Sequence, residues 1–136
     1  MSITDLIGLN ALAERIHKRN VEKGFYDDDN KPEGKYLLSH QLLEIMKEVA
    51  EASEADKTGK LAQSNDVVWC LSSNDRAHIT QEEFPAKIKD TFQDEIADVF
   101  IRLLDLVGHC KIDIEAHIAL KLEYNATRKR LHGKSY

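Results

Sequence analysis

Residues that break helices are scarce in this sequence, with six glycines and two prolines among 136 residues. Long helices rather than a turn-rich β-fold are therefore expected. No run of about 18 apolar residues occurs, so no membrane-spanning helix is expected. The opening MSITDLIGLNALAER has neither the basic start nor the long apolar centre of a secretory signal peptide. Cys70 and Cys110 are the only cysteines, and they form no C-x-x-C. That excludes a disulfide scaffold and a paired-cysteine zinc site, and predicts two reduced, packed thiols in a cytoplasmic protein. Positive charge is in deficit, 19 Lys and Arg against 24 Asp and Glu, and the net −5 excludes a general nucleic-acid-binding face. A small anion held through a cation stays open. No Walker loop or nucleophile elbow is present. A di-iron bundle needs Glu-x-x-His on two helices, and only Glu14-x-x-His17 qualifies.

What is present is helical periodicity. With 42% hydrophobic and 32% charged residues, the chain reads as one globular domain over residues 1–136. A first helix is expected from Thr4 or Asp5 to about Lys23, with Leu9, Leu12, Ala13 and Ile16 as its apolar stripe and Gly24 as its stop. Phe25 to Lys35 reads as a loop. The second helix spans about Tyr36 to Lys57, with Leu42, Ile45, Met46, Val49 and Ala52 on one side and a glutamate-rich face on the other. Residues from Thr58 to about Phe84 are mixed, with breaks at Asn65-Asp66, at Ser72 to Asp75 and at Pro85. A third helix is expected from about Ala86 to Cys110, frayed near Gly108, and a fourth from about Ile112 to Leu131. The fold class is all-α, of four-helix-bundle type, with a long connection between helices 2 and 3.

The third helix contains the most informative stretch. Nine of the twelve residues from Ile96 to Val107 are apolar and fall on nearly every side of a helix. A helix apolar all round is normally buried. Yet Glu95, Asp98, Arg102 and Asp105 fall within an arc of about 80° at 100° per residue. A buried carboxylate without a partner costs several kcal/mol, so this charged stripe needs compensation. Glu95 and Asp98 share the i, i+3 spacing of Glu48 and Glu51 on the second helix. Alone, the earlier pair reads as a solvated face. If the two helices pack antiparallel, four carboxylates can converge, and hard oxygen ligands of this kind suit Mg²⁺, with Mn²⁺ as a substitute.

The fourth helix offers Lys121, Asn125 and Arg128 at i, i+4, i+7, with Tyr124 beside them. Such a row can hold phosphate oxygens, or it can be ordinary surface charge at a helix end. Phe25, Tyr26 and Trp69 can stack on an aromatic ligand, and Trp69 reads equally as a core anchor.

With both acidic pairs placed, the chain resembles the MazG-like branch of the all-α nucleoside triphosphate pyrophosphohydrolases. The likeness rests on Lys47-Glu48-Val49-Ala50-Glu51, on Glu95-Ile96-Ala97-Asp98 and the run on to Leu106, and on Lys121-x-x-Tyr124-Asn125-x-x-Arg128 with Gly133-Lys134. Asn20 with Lys23-Gly24-Phe25 resembles the end of the family's first helix. Lys47 departs from the family's first glutamate, and the 43 residues between Glu51 and Glu95 make a long connection for this family.

The resemblance implies conversion of a nucleoside triphosphate, a deoxynucleotide by preference, to monophosphate and pyrophosphate. It implies Glu48, Glu51, Glu95 and Asp98 as metal ligands and catalytic residues, with Mg²⁺ activating the attacking water and Glu51 accepting its proton. It assigns substrate contacts to Asn20, Phe25, Trp69, Lys121, Tyr124, Asn125 and Arg128. A homodimer or homotetramer is also implied, in keeping with the many apolar helix faces. The alternative from another class is a non-catalytic helical module that binds nucleotide or a protein partner.

Overall fold

A computed structural model describes residues 8–27 and 35–130, and these are all-helical with no strand among them. The helices are α1 (Leu9–Glu22), α2 (Lys35–Lys57), α3 (Ser64–Ser72), α4 (Arg76–His78), α5 (Phe84–Lys87), α6 (Phe92–His109) and α7 (Ile114–Ala126). A π-helical segment, Ile79–Glu83, links α4 to α5. The expected all-α class is therefore observed. The expected helix start at Thr4 or Asp5, most of the Phe25–Lys35 loop, and Gly133-Lys134 lie outside the described residues.

Contacts group the chain into two compact units, Met1–Lys31 with Leu104–Tyr136, and Pro32–Leu103. In the first unit, α1 ends as expected at Gly24. Its φ of 82° suits a residue without Cβ, and the Phe25 N–H closes on the Asn20 carbonyl at 3.0 Å. The starts of α1 and α7 cap each other. Glu115 Oε1 accepts from the Gly8 and Asn10 N–H groups at 2.7 and 3.1 Å. Asn10 Oδ1 in return accepts from the Ile114 N–H at 3.0 Å. Asp113 is the N-cap of α7, accepting from the Ala116 N–H at 3.1 Å. Ala13, Leu104 and Val107 are buried together, with Ile16 and Ile114 against them.

Gly108 is not at a frayed end, because α6 continues to His109. It is a point of close packing: a Cβ there would stand 2.7 Å from the Ala13 carbonyl oxygen and 2.7 Å from His17 Cβ.

In the second unit, the mixed segment after Lys57 is largely helical. Asn65 and Asp66 do not break the chain; they sit in the first turn of α3. The break at Ser72 to Asp75 is present, and Asp75 restarts the helix by accepting from the His78 N–H at 3.1 Å. Pro85 does not end a helix but lies at the start of α5. It has no N–H to offer the carbonyl four residues back, and the widened π segment immediately before it accommodates that loss. The third expected helix starts later than Ala86, at Phe92, because Asp90 turns the backbone with φ 61°. The fourth starts at Ile114 and ends at Ala126, short of Leu131.

Two links tie the connection to α6. The Phe92 N–H donates to the Lys60 carbonyl at 2.8 Å, and the Gln93 amide exchanges bonds with the Ala62 N–H and carbonyl at 2.9 and 3.4 Å. Cys70, Ile79 and Ile88 form the buried cluster of this unit. Cys70 thus packs as expected, whereas Cys110 is exposed, and both are free thiols.

Gly108→Ala should destabilise the protein by about 1–3 kcal/mol, the usual cost of overpacking. Alanine's helix preference of about 1 kcal/mol over glycine acts in the opposite sense. Urea unfolding would show a lower midpoint, and an unchanged or raised midpoint would contradict the close approach.

Candidate metal centre

The charged stripe of α6 is resolved residue by residue. Asp105, in the first unit, is buried and meets His17 Nδ1 at 2.8 Å. Arg102, in the second unit, donates from Nε to Glu48 Oε1 and lies 3.5 Å from Glu44 through Nη2. Glu95 and Asp98 have no such compensation. Glu95 is only 7% exposed, and no hydrogen-bond donor reaches its carboxylate among the described residues. Asp98 is half-buried and likewise receives no donor.

One carboxylate oxygen from each of Glu48, Glu95 and Asp98 can be chosen so that all three lie within 4.8 Å of one another. Geometry and charge act together here. Burial pushes the Glu95 carboxyl above its ordinary range, and the negative charges of Glu51, Asp98, Glu48 and Asp94 push it further. Asp98 is also raised, chiefly by burial and then by Asp94 and Glu48, against a lowering pull from Arg102. Three carboxylate oxygens close together, with Glu95 and Asp98 lacking a hydrogen-bond donor among the described residues, form the kind of donor set that a hard divalent cation takes. The residues present fit such an ion.

Of the four acids expected to converge, the structure brings together three. Glu51 is exposed, stands outside the triad and pairs with Lys47 at 3.6 Å across one helical turn. It faces a separate hollow of about 360 Å³ that Glu95 also lines, together with Glu54, Lys60 and Asp90. The lysine that departs from the family pattern is therefore the residue that engages Glu51.

The expected substrate residues are distributed as follows. Trp69 is 44% exposed, with Lys87 Nζ 5.2 Å from its ring centroid, so it does not anchor the core. In the first unit, Lys121 and Arg128 both flank the Tyr124 ring, at 5.1 and 5.9 Å. Two of the three members of the expected row, Lys121 and Arg128, thus flank one aromatic ring, although α7 ends at Ala126, before Arg128. Asn125 is half-buried, and its Oδ1 has no hydrogen-bond partner among the described residues. Asn20 is half-buried and Phe25 is exposed.

The sequence reading passed over two features. One is Arg102 as the partner of Glu48, which its place in the stripe could have signalled. The other is an aromatic cluster in the first unit: His17 meets Tyr26 edge-on at 4.7 Å, and Tyr26 stacks on His109 at 5.1 Å. No spacing rule joins residues so distant in sequence.

Comparison with known proteins returned no matching family model, no matching curated protein and no matching solved structure.

A raised carboxyl binds its proton more tightly in the folded than in the unfolded chain. Stability then falls as pH rises from the unfolded carboxyl range, near 4, towards the folded value. Without metal, Glu95→Gln should therefore stabilise the protein at neutral pH, by roughly 1–3 kcal/mol, the scale of an unsatisfied buried polar group. It should also flatten the decline in stability as pH rises above the unfolded carboxyl range. A variant less stable than wild type in chelator at pH 7 would contradict the uncompensated-charge assignment.

Proposed function

We propose that this chain is a Mg²⁺-dependent nucleoside triphosphate pyrophosphohydrolase of the MazG-like kind, acting on deoxynucleotides. The observation that carries the proposal is Glu95: a buried carboxylate without a donor, grouped with Glu48 and Asp98 on two helices. A structural scaffold gains nothing from keeping such a group buried beside like charges. When bound, Mg²⁺ supplies charge neutralisation and Lewis-acid polarisation to a triphosphate.

Glu48, Glu95 and Asp98 would hold the ion. Arg102 donates to Glu48 and shares Glu44, so the Glu48 carboxylate is oriented before any ion arrives. Glu51, exposed and outside the triad, is the carboxylate assigned to accept the proton of the attacking water. Attack at the α-phosphorus yields monophosphate and pyrophosphate. A non-catalytic module is the second reading, and the Arg102–Glu48 pair favours it, because that bond alone neutralises one member of the triad without metal.

Two measurements separate these readings. Mg²⁺ or Mn²⁺ should raise the melting temperature of the wild type through binding to the folded state alone, and Asp98→Asn should abolish the rise. Hydrolysis of a deoxynucleoside triphosphate in ¹⁸O-labelled water should place the label in the monophosphate. Release of orthophosphate and diphosphate, or no turnover despite metal binding, would overturn the enzymatic reading.

Self-association is a further part of the proposal. Leu42, Leu43, Met46 and Val49 on α2 are all exposed, and so is Phe100 on α6, at 59%. The expectation that α6 is buried all round is therefore not met within one chain, whose second unit leaves apolar faces of both helices open to water. Such faces mark contact surfaces. Sedimentation should give a dimer or tetramer, and Met46→Lys should shift it towards monomer. A wild type that remains monomeric at tens of micromolar would contradict this.

A further inference from the structure

In the second unit, residues Arg76 to Lys87 run as one helix through α4, the π segment and α5. The π turn is closed by the Phe84 N–H on the Ile79 carbonyl, five residues back. Closing over five residues where an α-helix closes over four, such a turn holds one extra residue, and such turns recur at functional positions. A side-chain pair marks the same register: His78 Nε2 lies 3.3 Å from Glu83 Oε1. Five residues turn an α-helix through about 500°, which would leave that pair about 140° apart. The widened turn brings them to one side.

The sequence holds a second partner for the imidazole. Glu82 is four residues from His78, about 40° away round an α-helix. It is exposed and makes no ion pair or hydrogen bond among the described residues. Glu83 instead serves two cations, with Lys87 Nζ at 2.9 Å as well. In an α turn Glu83 keeps Lys87 at i, i+4 and Glu82 takes His78, so each cation has its own carboxylate. Pro85 has no N–H to donate in either register.

The two halves of this helix are held unequally. Upstream, Asp75 caps the start, Arg76 Nη1 donates to the Cys70 and Ser73 carbonyls, and Ile79 is buried. Downstream, Phe84, Pro85, Ala86 and Lys87 are all exposed. There the Phe84 carbonyl accepts from the Ile88 and Lys89 N–H groups at 3.0 and 2.9 Å, so four- and five-residue closure already coexist. The turn at Asp90, with φ 61°, follows directly.

We infer that this helix is a two-register switch, π with His78 on Glu83 and α with His78 on Glu82. Passing the extra residue downstream turns Phe84 by about 100° and moves it about 1.5 Å along the axis. Phe84 lines a cavity of about 530 Å³ together with Ile79, Thr80 and the buried Cys70. The exchange therefore removes an aromatic wall and opens the cavity towards the Cys70 thiol. Lys87 leaves Asp66 and the Trp69 ring at the same time, contacts of 3.7 and 5.2 Å in the π register. No residue of the carboxylate triad takes part, so the switch is independent of the proposed function.

The test is NMR of the ¹³C,¹⁵N-labelled full chain, reading the coupling across the Phe84 hydrogen bond. In the wild type it should link the Phe84 N–H to the Ile79 carbonyl carbon. Glu83→Gln leaves Glu82 as the charged partner, and the coupling should pass to the Thr80 carbonyl carbon. Losing a hydrogen bond to a charged group should shift the register populations about tenfold, and alkylation of Cys70 relative to the exposed Cys110 should rise by about the same factor. Glu82→Gln should keep both the Ile79 coupling and the wild-type alkylation ratio. Deletion of Glu82 places His78 and Glu83 four apart, so a regular α-helix should form with Phe84 and Ile88 in place and melt no lower than the wild type. In a helix of one fixed register, the same deletion would turn the buried Ile88 out of its cluster and lower the melting temperature. Persistence of the Ile79 coupling in Glu83→Gln, or a lower melting temperature on deletion, would overturn the switch. If Glu83→Gln does not fold, the deletion decides alone.

Discussion

Charge that must be accommodated on an apolar helix is the constraint on which the rest of this structure depends. α6 is rich in Ile, Val, Leu and Phe, yet it carries four ionisable side chains along one stripe. Removing a carboxylate from water costs several kcal/mol unless something replaces the water. Different solutions appear along the one helix. Asp105 is met by an imidazole, Arg102 by two glutamates, and Glu95 and Asp98 by no donor among the described residues. The first two solutions complete a folded unit. The third leaves a group whose stability depends on protons or on a cation.

The local architecture holds these groups at fixed positions. In the first unit, Gly108 lets the backbone of α1 approach α6 closely, and the reciprocal caps between Asn10 and Glu115 set the ends of α1 and α7. His17 is thereby held beside Asp105. In the second unit, the Lys60 carbonyl and the Ala62 backbone are bonded to Phe92 and Gln93. The start of α6 is thus fixed one turn before Glu95.

Helix content, the stop at Gly24 and the charged stripe were all legible in the sequence, because each depends on local periodicity or on one residue's conformational freedom. The carboxylate triad was legible in part. The i, i+3 spacing brings Glu95 near Asp98, but which member of the earlier pair joins them depends on how α2 is rotated, and spacing alone does not fix rotation. The long connection was misread for a related reason. Asn65, Asp66 and Pro85 are breakers on average, yet the first two occupy a helix's first turn and the third follows a π segment. Those placements are set by surroundings more than by propensity. The His17–Tyr26–His109 cluster and the cavity beside α6 join residues far apart in the chain, where no pattern in the sequence carries the information.

Charge balance explains why the triad suits one divalent ion. Three carboxylates facing one guanidinium leave two negative charges to be compensated. A monovalent ion leaves one of them buried and unpaired, at the cost that attends any lone interior charge. A divalent ion held there would remove the deficit. Glu44 beyond Arg102 and Glu51 beyond Glu95 then add negative potential from more exposed positions. An anionic ligand approaching that field without a cation meets net repulsion. The single charge of Arg102 leaves Glu95 and Asp98 without a hydrogen-bond donor among the described residues.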